Sequence, residues 1–316
     1  MIFPHYLQGG IKDADDPRDY IENSKLHAGS KHLISLDIKD FYNNIKQSSV
    51  LDVFKYFFKF PEDVSSLLTQ LVTLNGRVPQ GACTSSYVAN LILHNSEYSI
   101  VSRLRSKGFT YTRLLDDVTI SSKQHLDQNT STKLIIEVAA IFKKHGLRLN
   151  SKKTRIERSD DLKAKYEVTG VWVGHGVPKV RREDRRHIRH LVFICEKEHE
   201  TDRYSDSYHE LWNRVSGQVA RLTRLKHSQA KALRSKLSLV LPLYDDRQKS
   251  QLIFETEKLI RKSTSSHVRP GVIDAYNKVI YRLGILGRTD KATAKTLRKT
   301  LKARFSSMPT KSEIWE

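Results

Sequence analysis

Two β-rich runs, Thr110-Tyr111-Thr112-Arg113-Leu114 and Asp117-Val118-Thr119-Ile120-Ser121-Ser122, are separated only by Leu115-Asp116. Runs of that kind around a tight turn form a hairpin. This hairpin carries two carboxylates, Asp116 and Asp117, side by side at its turn. Adjacent like charges repel, so something must offset them. A divalent cation does so directly, because Mg²⁺ takes a few carboxylates together with phosphate oxygens of a substrate. Taken alone, an Asp pair is an ordinary turn former. A third carboxylate gives the pair weight. In His32-Leu33-Ile34-Ser35-Leu36-Asp37-Ile38, the residues Ile34, Leu36 and Ile38 share one face at period two, and Ser35 and Asp37 share the other. The expected element is a half-buried strand with Asp37 on its open face.

The remaining pattern sets the class. Ser48 to Leu74 is helical, with Val50, Val53, Phe54 and Phe57 on one side and Pro61 as a break. Pro79-Gln80-Gly81 is a tight turn, and Thr84, Ser85 or Ser86 is placed to cap the helix after it. Val88, Leu91, Ile92 and Leu104 form that helix's apolar stripe, and Gly108 ends it. Leu134, Val138, Ile141 and Phe142 predict another helix, with Gly146 at its C-terminal cap. Leu147-Arg148-Leu149 and Val168 to Val173 predict further strands. The order of elements is α+β, an antiparallel sheet covered by helices. From about 178 the composition changes: Lys179, Arg181, Arg182, Arg185, Arg186 and Arg189 crowd together, and the rest is mostly helical. Between 290 and 305, Lys291, Lys295, Arg298, Lys299 and Lys302 fall on one basic face, and no Asp or Glu interrupts residues 291–312. That favours a phosphate-backbone contact over an ordinary solvated face.

Composition narrows the partner. The chain has 316 residues, room for one large domain or two to three subdomains. It carries 55 Lys and Arg against 35 Asp and Glu, a net charge of +20, with an isoelectric point near 9.8. Such a balance points to a polyanion, most commonly nucleic acid. Two cysteines, Cys83 and Cys195, exclude a disulfide scaffold and argue against a cysteine-ligated zinc. No apolar run approaches the roughly 18 residues of a membrane span, and the first residues do not resemble a signal peptide. A cytoplasmic protein without a membrane partner is expected.

Four motifs occur in a fixed order: Asp37-Ile38-Lys39-Asp40-Phe41-Tyr42, Pro79-Gln80-Gly81, the Asp116-Asp117 hairpin, and the basic loop Leu149-Asn150-Ser151-Lys152-Lys153-Thr154. In these the sequence resembles the bacterial retron-type reverse transcriptases. Asn23-Ser24-Lys25-Leu26-His27 is similar to their Asn-Ala-x-x-His element, and Val168-Thr169-Gly170 to their Val-Thr-Gly element. The resemblance runs from residue 5 to about 180; beyond that it is compositional. It implies a right-hand polymerase with residual fingers (1–30), a first palm strand (31–48), a helical insert (49–78), the palm proper (79–178) and a helical basic thumb (179–316).

The resemblance also implies roles. Asp37, Asp116 and Asp117, with the Ile38 carbonyl, would hold two Mg²⁺ ions (or Mn²⁺) about 3.5–4 Å apart, clamping an in-line phosphoryl transfer. The Asp40 and Phe41 amides would face a deoxynucleoside triphosphate, Tyr42 would exclude a 2′-hydroxyl, and Gln80 and Gly81 would lie under the nucleotide. Lys153 would donate a proton to pyrophosphate, with Lys152 the weaker choice. Asn23, His27, Val168, Thr169, Gly170, Lys295 and Lys299 would meet nucleic acid. The implied function is RNA-directed DNA synthesis with a cognate non-coding RNA, in antiphage defence.

Two departures matter. Leu114 stands where the family has Tyr, two residues before Asp116, which bears on template handling. The family's segment ahead of the region matching Phe3 to His27 is not matched here, which leaves three expectations: a shortened form, a second protein subunit that completes the fingers, or template and nucleotide held differently, with Arg77 a candidate substitute. These departures keep two alternatives in view: a defence polymerase making repetitive or untemplated DNA within a larger protein–RNA assembly, and a catalytically idle palm that binds RNA as a structural subunit.

Overall fold

The computed structural model describes residues 19–161, 164–263, 266–310 and 313. The loops expected around Gly9-Gly10 and Pro17 lie outside these residues. The chain divides into two compact units, 1–181 and 182–316.

In the first unit, helix α1 (Tyr20–His27) starts on Asp19, whose carboxylate accepts from the amides of Ile21 and Glu22 at 2.9 and 3.1 Å. Strand β1 (His32–Asp37) follows, then α2 (Phe41–Asn44), α3 (Gln47–Asp52), a π-helical turn (Val53–Phe57) and α4 (Glu62–Val72). Pro61 is the N-cap of α4, so the break falls where the proline put it. Helices α5 (Ser85–Leu91) and α6 (His94–Ser106) lead into the hairpin β2 (Phe109–Leu114) and β3 (Asp117–Ser122). Helix α7 (Gln128–Lys144), β4 (Arg155–Arg158) and the small hairpin β5 (Glu167–Val168) and β6 (Val171–Trp172) complete the unit.

The main sheet is antiparallel, in the order β2-β3-β1-β4. Its register sets Asp37 opposite Asp117 and Ile34 opposite Ile120. Ile34, Leu36, Val118 and Ile120 pack with Val138 and Phe142 of α7 and with Ile100 and Leu104 of α6 in one core. The other face of β1 is also covered: Leu33 is buried with Tyr166, Val168 and Val173. β1 is therefore buried on both faces rather than half-buried, and Asp37 itself is only 8% exposed.

Three local expectations change. The single helix running to Gly108 is two helices, α5 and α6, and no side chain caps α5; the Ser85 hydroxyl instead donates to the Pro79 carbonyl. Leu147–Leu149 is not a strand. Gly146, at φ +72°, closes α7 with its amide on the Lys143 carbonyl while the Leu147 amide reaches Phe142, a Schellman pair that consumes the start of the expected strand. Leu149 makes only an isolated bridge to Ile38, and the strand lies further on, in β4. Val168–Val173 is a hairpin, because Thr169 and Gly170 both take positive φ, +48° and +76°, as a two-residue turn requires.

The second unit is helical: α8 (Arg182–Asp202), α9 (Asp206–Arg224), α10 (Ala230–Leu239), α11 (Asp246–Ile260), α12 (Pro270–Leu286) and α13 (Lys291–Arg304). Leu252 and Leu259 of α11, Val272, Val279 and Leu283 of α12 and Leu301 of α13 form one core. Lys291, Lys295, Lys299 and Lys302 stay exposed on α13. Arg298 leaves that basic face: its guanidinium donates to the Ile280 carbonyl at 3.4 Å. Among the described residues no helix is long and apolar enough to cross a membrane.

Candidate active site

The end of β1 and the β2–β3 turn bring the sequence motifs to one cleft of about 350 Å³. Asp37, Ile38, Asp40, Phe41, Tyr42, Gln80, Asp116 and Lys153 all line it. Asp117 pairs with Asp37 across the β1–β3 register, its side chain partly open to solvent and partly covered. The backbone fixes this arrangement: the Ile38 amide donates to the Asp116 carbonyl at 3.0 Å, and the Asn150 amide to the Asp37 carbonyl at 2.8 Å. Leu115, before the carboxylates, takes a left-handed φ of +58°, and Asp40 one of +47°. Asp40 lines the cleft and Leu115 directly precedes Asp116, which does, so each is backbone strain beside the candidate site, typically about 1–3 kcal/mol.

Lys153 Nζ donates to Asp37 Oδ1 at 2.7 Å, and Asn150 Nδ2 lies 3.3 Å from Oδ2. That hydrogen bond to Asp37, and then the Asp37 charge, hold the Lys153 ammonium above its usual range. Burial, with the charge of Asp37 added, raises the Asp116 carboxyl. Burial and then the charges of Asp116 and Asp37 raise Asp117. Burial and Asp116 push the Tyr42 phenol up. Three carboxylates thus stand close together, partly balanced by the Lys153 ammonium on Asp37 and by the charge of Arg155 near Asp117. Carboxylate oxygens and a peptide carbonyl are the donors a hard divalent cation takes, and such a cation would offset both the lost solvation and the mutual repulsion of these carboxylates. Among the described residues no three ligand side chains yet converge on a single point; Lys153 holds Asp37 in an ion pair.

The other expected site residues lie elsewhere. Gly81 takes φ +91° in the turn beside Gln80. Asn23 and His27 are buried, so the nucleic-acid contacts expected of them pass to scaffold roles. The His27 ring nitrogens meet Ser121 Oγ of β3 at 2.7 Å and Thr112 Oγ1 of β2 at 2.8 Å, tying α1 to the hairpin. Val168 is buried too, whereas Thr169 and Gly170 form the tip of their hairpin, with Thr169 Oγ1 donating to the Tyr20 carbonyl. Lys295 and Lys299 belong to the second unit.

Sequence reasoning missed Asn150, Glu97 and Arg113. Glu97 and Arg113 form a buried pair beneath the hairpin, at 1% and 0% exposure. A signal existed for Glu97, which shares the i, i+3, i+4, i+7 stripe with Ile100, Val101 and Leu104.

A carboxylate hairpin that faces a carboxylate on the adjacent antiparallel strand, over a cleft with a basic loop, defines a nucleotidyl-transferring polymerase palm. Residues 4–184 match the reverse transcriptase (RNA-dependent DNA polymerase) family, and the chain belongs to it. It is 45% identical to the Retron Se72 reverse transcriptase of Salmonella heidelberg (strain 579083-10) over 301 residues, 95% of this chain and 78% of that one. It is 27% identical to the Retron Ec48 reverse transcriptase of Escherichia coli over 318 residues, 98% of this chain and 76% of that one. Telomerase from Candida tropicalis in complex with a TWJ fragment of telomeric RNA is similar at 12% identity and a TM-score of 0.43, over 90% of this chain and 51% of that one. The chain is thus a retron-type reverse transcriptase, an RNA-directed DNA polymerase with RNA as template and DNA as product, in a family that uses divalent metal.

Proposed function

We propose that the cleft adds deoxynucleoside triphosphates to a primer and that its residues divide the work as follows. Asp37, Asp116 and Asp117, with the Ile38 carbonyl, hold two Mg²⁺ ions, replaceable by Mn²⁺, which supply charge to the attacking hydroxyl and the leaving pyrophosphate. The Asp40 and Phe41 amides and Gln80 with Gly81 seat the triphosphate. Tyr42 stands against the sugar and excludes a 2′-hydroxyl. Lys153 leaves Asp37 and delivers a proton to pyrophosphate. Thr169, Gly170, Lys295 and Lys299 meet nucleic acid. The observation that carries this reading is the convergence of Asp37, Tyr42, Gln80, Asp116 and Lys153 on one cleft from four separate stretches of sequence.

The proposal extends to biology. The polymerase acts in the cytoplasm with a cognate non-coding RNA, in antiphage defence. Residues 179–316 serve as its thumb, and 49–78 as a fingers–palm insert. A second protein subunit covers the insert, which leaves Phe58, Leu67, Leu71 and Leu74 from 44 to 72% exposed. Leu114, half-buried at the end of β2, keeps untemplated or repetitive synthesis as the second reading.

The test is incorporation of labelled deoxynucleotides by the purified chain in Mg²⁺ with its co-purifying nucleic acid left in place. Incorporation that is lost in Asp116→Asn/Asp117→Asn is expected. Equal incorporation by that variant would sink the site assignment, and sequencing of the product separates templated from repetitive synthesis.

A further inference from the structure

We propose that Arg113 is a positioning residue for the catalytic turn, acting through the carbonyl of Leu115. The guanidinium is fully buried and spends its donors on three separate elements. Nε and Nη2 donate to the two carboxylate oxygens of Glu97 on α6, at 2.7 and 2.8 Å. Nη2 also donates to the Asn90 carbonyl on α5 at 2.9 Å. Nη1 donates to the Leu115 carbonyl at 3.0 Å. Tyr111, on the same face of β2, donates its hydroxyl to Glu97 Oε1 at 2.8 Å.

The bond to Leu115 is the one that reaches the site. The Leu115 carbonyl belongs to the peptide plane whose nitrogen is that of Asp116, and a peptide unit moves as a rigid plate. The next plate, between Asp116 and Asp117, is held by the Ile38 amide on the Asp116 carbonyl at 3.0 Å. Asp116 is therefore pinned on both sides, from β1 above and from Arg113 below. The plate that Arg113 holds follows the one residue of the turn in the left-handed region, Leu115 at φ +58°. Without a donor at that carbonyl, only the Ile38 amide on the far plate and the Leu114–Asp117 pairing offset the tendency of Leu115 to relax and turn Asp116 away. An ion pair that only filled the core would be replaceable by apolar side chains without loss, since buried pairs barely repay their desolvation. The fork geometry that spans Leu115, Asn90 and Glu97 together is specific to arginine.

The inference rests on Asp116 belonging to the reacting centre, so one assay carries three variants of the full chain: Glu97→Leu/Arg113→Met, Arg113→Lys, and Asp116→Asn/Asp117→Asn. The probe is a DNA primer on an RNA template, read as single-turnover incorporation, with the burst amplitude counting competent molecules. Arg113→Lys keeps the charge facing Glu97 but cannot reach both carbonyls. The expected result for it and for the double variant is a rate about 10–100-fold lower per competent molecule, the loss that a roughly 1 Å misplacement brings. Nucleotide KM and RNA affinity should stay within about twofold, which assigns the loss to the chemical step. The Mg²⁺ concentration for half-maximal rate should rise. If the double variant fails to fold, Arg113→Lys alone decides. A normal rate in Arg113→Lys overturns the proposal, as does a rate that falls only in step with melting temperature and RNA affinity. If Asp116→Asn/Asp117→Asn keeps its rate, the site reading itself fails; if that variant is dead and Arg113→Lys is normal, only this inference fails.

Discussion

The hairpin Phe109–Ser122 carries charge at two levels, and the two are built on opposite principles. At its turn, Asp116 and Asp117 stand beside Asp37, three like charges near one exposed lysine. Beneath the turn, Arg113 and Glu97 are matched, dry and hydrogen-bonded. The upper level raises the energy of the folded chain, because a partly buried carboxylate loses solvation and repels its neighbours. The lower level is nearly neutral as a pair and costly only when halved. The site is made of charge only partly compensated and its support of charge fully matched, so mutation should affect the two with opposite signs.

The largest break is at the top. Asp116→Asn/Asp117→Asn should cut incorporation by at least about 10³-fold, the scale expected when groups that stabilise transition-state charge are removed. The same change should raise the melting temperature of the metal-free chain by roughly 1–3 °C, as repulsion is relieved in a half-exposed site. Calorimetry in a chelator checks it; a fall in melting temperature would mean that the carboxylates are structural. Halving the lower pair should do the reverse. Glu97→Ala leaves a buried guanidinium unmatched and should cost about 3–5 kcal/mol of stability, read from chemical denaturation. A loss below about 1 kcal/mol would show that the interior is wetter than the burial implies.

Lys153→Met sharpens the upper level. If Lys153 is the proton donor proposed above, its removal should slow incorporation by about 10²-fold. It also frees Asp37, so binding of Mn²⁺ without nucleotide should tighten, measured by paramagnetic resonance. Tyr42→Val should admit ribonucleotides, with discrimination falling about tenfold or more; competition between labelled deoxy and ribo substrates decides it.

The smallest effect is on pH. Asp116 and Asp117 have folded-state values above their unfolded ones. The folded chain therefore binds protons more readily, and this contribution to stability is present at low pH and lost as pH rises through the raised values. In chelator, melting temperature should gain slightly on acidification through that window in the native chain and not in the Asn variant. Incorporation should fall over the same window and recover with added Mg²⁺, since proton and cation compete for the same oxygens.

What was legible in the sequence is what repeats locally. The alternation of Ile34, Leu36 and Ile38 placed Asp37, and the two runs around Leu115-Asp116 placed the hairpin. The order of the motifs brought Gln80, Tyr42 and Lys153 to the same cleft. Contacts made only in three dimensions were not legible. Arg113 and Glu97 are 16 residues apart, on a strand and a helix; the stripe of Ile100, Val101 and Leu104 marks Glu97 as inward-facing, but nothing local names Arg113 as its partner. His27 satisfies both ring nitrogens on hydroxyls of β2 and β3, which no periodicity reveals. β4 is four residues with one aliphatic side chain, Ile156, too little pattern to stand out, while Leu147 was drawn into the end of α7.

The pairing of Asp37 with Asp117 bears on how such a chain can vary over generations. A strand that slips by one residue turns every side chain to the opposite face. Single deletions within residues 32–37 or 117–122 would therefore erase the reaction at a stroke, whereas the apolar residues there, such as Ile34, Leu36, Val118 and Ile120, could be exchanged for others of like size. Loops tolerate changes in length, because each doubling costs only about 0.6 kcal/mol. Sequence drift should thus be channelled: length changes are expected in the connecting segments, while the two central strands, β3 and β1, should keep their residue count.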